Sequence, residues 1–131
     1  QERGGMGGTL RDSVSRETIE REMAQAEVYA YHCDTTAWSE GFSCAVLEAC
    51  AARACPIISD CDALGSVYGD TLPLSRRGDI KGWTANVIRA LTDPEFREQV
   101  NEKAYKFASG LTWKIYVEKI LALIGDRRAR V

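Results

Sequence analysis

Two glutamates, Glu40 and Glu48, stand eight positions apart and bracket the stretch Gly41-Phe42-Ser43. Eight positions is slightly over two helical turns, so both carboxylates fall near one face. Glu40 belongs to a loop and Glu48 to the middle of the helix that follows. Gly41 allows a tight turn and the close approach of a ligand to the backbone. The N–H groups of Phe42 and Ser43 then sit free at a helix N-terminus, where unpaired donors and the peptide dipoles favour an anion. A carboxylate inside an apolar helix needs a partner, and the paired hydroxyls of a ribose would serve. The plainer alternative makes Glu40 a cap-region acid and Glu48 an exposed helix residue.

Other chemistry-bearing residues are sparse. The five cysteines, Cys33, Cys44, Cys50, Cys55 and Cys61, form no C-x-x-C pair, and His32 is the one histidine. A zinc site is therefore not expected. The cysteines read as reduced, mostly buried apolar residues of a cytosolic protein, which sets the expected localisation as cytoplasmic. His32 and Cys33 are adjacent on a strand end and so point to opposite faces, which disfavours a nucleophilic pair. Trp38 stands in the loop before Glu40, where it either stacks on a ligand or packs on the sheet edge. Tyr68, beside Gly69, is a candidate to line the same crevice.

These residues need elements to position them. Ser15 suits a helix cap, and Ile19, Met23 and Ala26 share a face, which predicts a helix over 16–26. Residues 28–31 read as a short strand, and 32–41 as a long polar loop after its carboxyl end. Residues 43–53 are apolar nearly all round and predict a well-buried helix. Pro56-Ile57-Ile58-Ser59 reads as a second strand with proline at its start. Residues 60–69 form a loop with one helical turn at 64–68, and 71–74 a third strand. Helices follow at 80–91 and 94–108, the latter capped by Asp93 with Pro94 in its first turn. The last begins near Thr112, with Trp113, Tyr116, Val117, Ile120, Leu121 and Ile124 on its inner side and Trp113 in the core.

Short apolar strands separated by helices imply an α/β fold, a partial Rossmann-like parallel sheet flanked by helices. In such sheets ligands bind at the carboxyl ends of the strands. The 131 residues suit one ordinary domain. Hydrophobic residues at 45% and charged residues at 27% are enough to bury a core. A net charge of −2 disfavours nucleic acid as a partner. No apolar run reaches the roughly 20 residues of a membrane span, and residues 1–10 lack the apolar segment of a signal peptide. Residues 1–13, with Gly4, Gly5, Gly7 and Gly8, read as a flexible or truncated N-terminal segment ahead of a unit over 14–131.

The segment Glu40-Gly41-Phe42 with Leu47-Glu48-Ala49 resembles the E-x7-E signature of the retaining family 4 glycosyltransferases, which have the GT-B fold. The likeness extends beyond the signature. Val14 to Glu17 and Ala26 to Tyr29 resemble the helix and strand before it, and Pro56 to Ser59 the strand after it. Gly65 to Asp70, Asp79, Leu91 to Pro94 and Thr112-Trp113 resemble later parts, so the resemblance covers about residues 14–124. It implies that 14–131 form part of the C-terminal, donor-binding domain. Glu48 would hold the donor's ribose hydroxyls, and Glu40 would contact the donor sugar as the catalytic glutamate. The backbone of Gly41, Phe42 and Ser43 would approach the sugar and diphosphate, with Leu47 against the nucleoside.

The implied reaction transfers a sugar from a nucleotide-diphosphate sugar to an acceptor hydroxyl with retention, and no bound metal is required. UDP is the expected nucleotide, with GDP and ADP open. The chain departs from the family where His32 replaces a usual proline, and where Arg53-Ala54-Cys55 fills a stretch that usually holds a glycine. Upstream basic residues that grip the diphosphate have no counterpart beyond Arg3 and Arg11. The acceptor-binding N-terminal domain is expected to lie outside this chain, so the piece alone is expected to be inactive. Missing strands could also drive pairing of two chains into a homodimer. A second hypothesis is a non-catalytic α/β interaction or regulatory module, with Asp34, Asp60 and Asp62 as an acidic pocket.

Overall fold

Central to the fold is a four-residue strand, Pro56–Ser59, every residue of which is buried. The computed structural model describes residues 8, 13–33 and 41–129. Strand β1 (Tyr29–Tyr31) pairs in parallel with that central strand, β2, bringing Tyr29 opposite Pro56 and Tyr31 opposite Ile58. Strand β3 (Leu74–Ser75) pairs in parallel on the other side, with Leu74 opposite Ile58 and Ser75 opposite Ser59. The sheet order is β1-β2-β3. Parallel pairing forces crossovers, and helices α2 (Cys44–Ala52) and α3 (Leu64–Tyr68) supply them. The result is the expected α/β architecture, a small parallel sheet flanked by helices.

The helix boundaries follow from their caps. Ser15 accepts from the Thr18 N–H at 3.3 Å and starts α1 (Arg16–Gln25). Asp79 accepts from the Gly82 N–H at 2.9 Å and starts α4 (Ile80–Thr92). Asp93 accepts from the Phe96 N–H at 3.0 Å and starts α5 (Pro94–Ser109), with proline where a missing donor costs nothing. Helix α2 ends at Arg53, whose φ of 59° gives the left-handed turn that glycine more often provides. The Arg53 guanidinium lies 4.2 Å above the Tyr105 ring and pairs with Glu102.

Val46 and Cys50 of α2, Ile57 and Ile58 of β2, Leu64 and Tyr68 of α3, and Val100 and Ala104 of α5 form one core. Small residues on α5 let it approach α2 closely. Two side chains satisfy backbone groups of the central strand and its approach. Asn101 Oδ1 accepts from the Cys55 N–H at 2.8 Å, and Trp83 Nε1 donates to the Ile57 carbonyl at 3.2 Å. Buried peptide groups require such partners.

Three expectations change. The third strand lies at Leu74–Ser75 rather than 71–74, because the Tyr68 carbonyl accepts from both Thr71 and Leu72 and turns the chain there. Pro73, which has no N–H to donate, then delays the pairing. Helix α6 (Trp113–Ala129) does not bury the face assigned to it. Trp113 is 82% exposed rather than core, and Tyr116, Val117, Ile120, Leu121 and Ile124 are exposed too. The chain leaves α5 through Gly110 and Leu111, and α6 extends away from the core. Helix α1 rests on α2 without burying any residue fully; Met23 and Ala26 are half-buried, and Ile19 is exposed. No helix among the described residues is long and apolar enough to cross a membrane.

Candidate functional site

The carboxyl ends of β1 and β2 are fixed to each other beyond the last strand pair. Ser59 Oγ accepts from the Cys33 N–H at 2.8 Å and donates to the Cys33 carbonyl at 3.2 Å. The loop leading to the candidate site departs from that point. Glu40, Trp38 and Asp34 lie outside the described residues, which resume at Gly41.

Gly41 is exposed, and a Cβ added there would meet nothing within 4 Å among the described residues. The left-handed turn falls two residues later, at Ser43, with φ 49° and ψ 88°. In that conformation the Ser43 side chain makes no capping hydrogen bond to α2. Its carbonyl accepts the first helical bond, from the Leu47 N–H at 3.2 Å. The first-turn amides of α2 thus begin the helix without a side-chain cap, a local environment that favours an anion. Phe42 is exposed, Ser43 is buried, and Leu47 is half-buried against the core.

Glu48 is neither fully buried nor free. Its side chain is 34% exposed, and its Oε1 lies 2.9 Å from the Arg16 guanidinium. The same guanidinium holds Glu20 at 2.7 Å. Glu20 and then Glu48 push the Arg16 pKa above its ordinary value. Nothing in the sequence signals the Arg16–Glu48 pair, because the two residues sit on different helices.

Tyr68 is a second residue whose part the sequence does not disclose. It is fully buried rather than lining a crevice. Its hydroxyl donates to the carbonyl oxygens of Phe42 at 2.9 Å and Ser43 at 3.1 Å. The one faint sequence signal is a hydroxyl-bearing ring at the end of a short apolar turn.

An apolar groove of about 510 Å³ lies between the start of α2 and the α5–α6 junction. Phe42, Cys44 and Leu47 line one side, and Leu111, Trp113 and Tyr116 the other. Two candidate residues, Phe42 and Leu47, therefore share a concave surface, while Glu48 faces α1.

The cysteines divide as their burial predicts. Cys33, Cys50, Cys55 and Cys61 are buried, and Cys44, the first residue of α2, is exposed. Burial pushes the Cys50 thiol up to about 12 and the Cys55 thiol up to about 11. His32 Nε2 is buried with no hydrogen-bond partner among the described residues, its ring set edge-on to Trp83 at 5.3 Å. Asp60 and Asp62 are both exposed; Asp62 stands 4.0 Å from Arg77. Among the described residues there is no group of three or more His, Cys, Asp or Glu that could hold a metal ion.

The family model described as "Glycosyl transferases group 1" matches residues 10–107, a span that runs from before α1 into α5 and includes Glu40 through Glu48. No curated protein and no solved structure matches the chain significantly.

Proposed function

This chain belongs to the group 1 glycosyl transferases, and from that premise we propose that residues 14–131 form part of the C-terminal donor-binding domain of a retaining, family 4 enzyme of GT-B fold. Membership of the family carries sugar transfer in general, with a sugar donor and an acceptor. The finer reading adds a nucleotide-diphosphate sugar as donor, UDP first among the candidates, and transfer to an acceptor hydroxyl with retention. An N-terminal domain of the same protein would bind that acceptor, and the enzyme would work in the cytoplasm.

The observation that carries this reading is the family match across the whole Glu40–Glu48 segment, on a helix whose start has the chemistry of an anion site. Glu48 would accept from the ribose hydroxyls. Glu40 would contact the donor sugar. The backbone of Gly41, Phe42 and Ser43 would approach the sugar and diphosphate, and Leu47 would lie against the nucleoside. The chief physical demand is stabilisation of the leaving diphosphate, which oriented backbone donors meet without a resident metal.

Titration of the chain with UDP, GDP and ADP tests the reading. Saturable binding of one of them, weakened by Glu48→Ala, is the expected result. Absence of binding to all three overturns it in favour of a non-catalytic α/β module.

A further inference from the structure

Ser43 holds a backbone conformation that residues with a Cβ rarely adopt, φ 49° and ψ 88°, and its own side chain makes no capping hydrogen bond to α2. The support comes from Tyr68, 25 residues further along the chain, whose hydroxyl shares its one proton between the Phe42 and Ser43 carbonyls. The Tyr68 ring is fully buried and packs against Phe107 with centroids 5.5 Å apart. It also lies 6.0 Å from the Phe42 ring. The hydroxyl is therefore a fixed point set by the core.

A consequence follows from peptide geometry. In a trans peptide the carbonyl and the next residue's N–H point in opposite directions. With the Phe42 carbonyl turned inward to Tyr68, the Ser43 N–H is turned away from it. With the Ser43 carbonyl turned inward, the Cys44 N–H is likewise turned away. Both amides are therefore directed away from the Tyr68 hydroxyl and the core that fixes it, and buried Ser43 stands between two exposed residues, Phe42 and Cys44. Successive backbone N–H groups of this kind make an anion-binding concavity.

We propose that Tyr68 is a positioning residue that aims the Ser43 and Cys44 amides at the diphosphate of the donor. The ligand named here rests on the donor-domain reading above; the clamp itself rests on the Tyr68 hydrogen bonds. Tyr68 touches no reacting atom in this scheme. It acts through the backbone it holds.

Tyr68→Phe removes the hydroxyl and keeps the ring. The test compares the nucleoside diphosphate that binds the wild-type chain most tightly among UDP, GDP and ADP with the corresponding nucleoside. Tyr68→Phe is expected to weaken the diphosphate about 5- to 10-fold, the scale of one lost hydrogen bond, and to leave the nucleoside unchanged. Equal weakening of both ligands overturns the positioning role and leaves a structural one. Amide exchange supplies a readout without ligand: Tyr68→Phe is expected to speed exchange about 10-fold at Leu47, whose N–H donates to the Ser43 carbonyl that Tyr68 holds. Unchanged exchange overturns the clamp while the donor reading stands. Faster exchange, together with no diphosphate binding by the wild-type chain, upholds the clamp and overturns the donor reading and the ligand assigned to it. Adding Ser43→Gly to Tyr68→Phe is expected to restore part of the lost affinity, because glycine adopts positive φ without strain.

Discussion

Arg16 on α1 and Glu48 on α2 meet at 2.9 Å, so the candidate ribose acceptor is paired with a cation from the helix before β1. One Glu48 oxygen is engaged in that pair. The carboxylate is thereby held at the surface of α2 rather than left to rotate. Glu48→Ala is expected to weaken nucleoside-diphosphate binding by about 1–3 kcal/mol, measured by calorimetry. An unchanged affinity would remove Glu48 from the site.

Arg16→Ala separates orientation from stability. Exposed ion pairs contribute little, so the melting temperature should fall by less than about 3 °C. A larger fall would show that α1 docks on α2 chiefly through this pair.

Thiol labelling under native conditions reads the core directly. Cys44 is expected to react quickly with a disulfide reagent at pH 8, while Cys33, Cys50, Cys55 and Cys61 react only on the timescale of unfolding. If bound nucleoside diphosphate fails to slow Cys44 labelling, the ligand does not occupy the start of α2.

Stability should fall at both ends of the pH scale, for opposite reasons. Asp93 is held below the ordinary carboxylate range by the Phe96 N–H and by Arg89, and Glu102 by Arg53. Their contribution is complete above the unfolded pKa of about 4 and is lost as pH falls through the lower folded values. Cys50 and Cys55 are raised by burial. Their contribution is complete below the ordinary thiol value of 9.0 and is lost as pH rises toward about 11 and about 12. Thermal melts across pH 2–11 check both limbs. Asp93→Asn, which keeps a capping oxygen but cannot titrate, should flatten part of the acid limb.

Asn101 tests the accounting of buried peptide groups. Asn101→Ala leaves the Cys55 N–H without its acceptor and should cost about 1–3 kcal/mol in a denaturant titration. Asn101→Asp keeps an acceptor oxygen but buries a charge near neutral pH, so it should cost less only below about pH 4, where the carboxyl is protonated. Equal costs there would point to packing rather than the hydrogen bond.

Sequence patterning located most of the frame. Ser15, Asp79 and Asp93 carry side-chain oxygens where helices begin, and Pro56-Ile57-Ile58-Ser59 reads as a strand, which the structure places at the centre of the sheet. Local chemistry of that kind is encoded by neighbours. The third strand was displaced because the Tyr68 carbonyl takes two amides, a choice made by a turn rather than by apolar pattern. Trp113 misled because an apolar stripe at helical spacing states that a face wants cover, not that this chain supplies it. At the site, Gly41 drew attention as the flexible position, yet the positive φ belongs to Ser43. The Tyr68 hydroxyl bonds both carbonyls that flank that residue's Cα, and a contact 25 residues away leaves no periodicity to read. Arg53 shows the same effect at the other end of α2, where its contacts with Glu102 and Tyr105 stand in for a glycine.

The parallel sheet also sets the terms of its own assembly. Tyr29 must find Pro56 across 27 positions, and Ile58 must find Leu74 across 16. Loop-closure entropy separates these two events by only about 0.5 kcal/mol. Each closure also carries a buried helix: α2 brings Val46, Ala49 and Cys50 to the first pairing, and α3 brings Leu64 and Tyr68 to the second. Strand β2 takes part in both, so the two crossovers compete for one template, and a change at Ile58, which pairs with Tyr31 on one side and Leu74 on the other, would be felt by both.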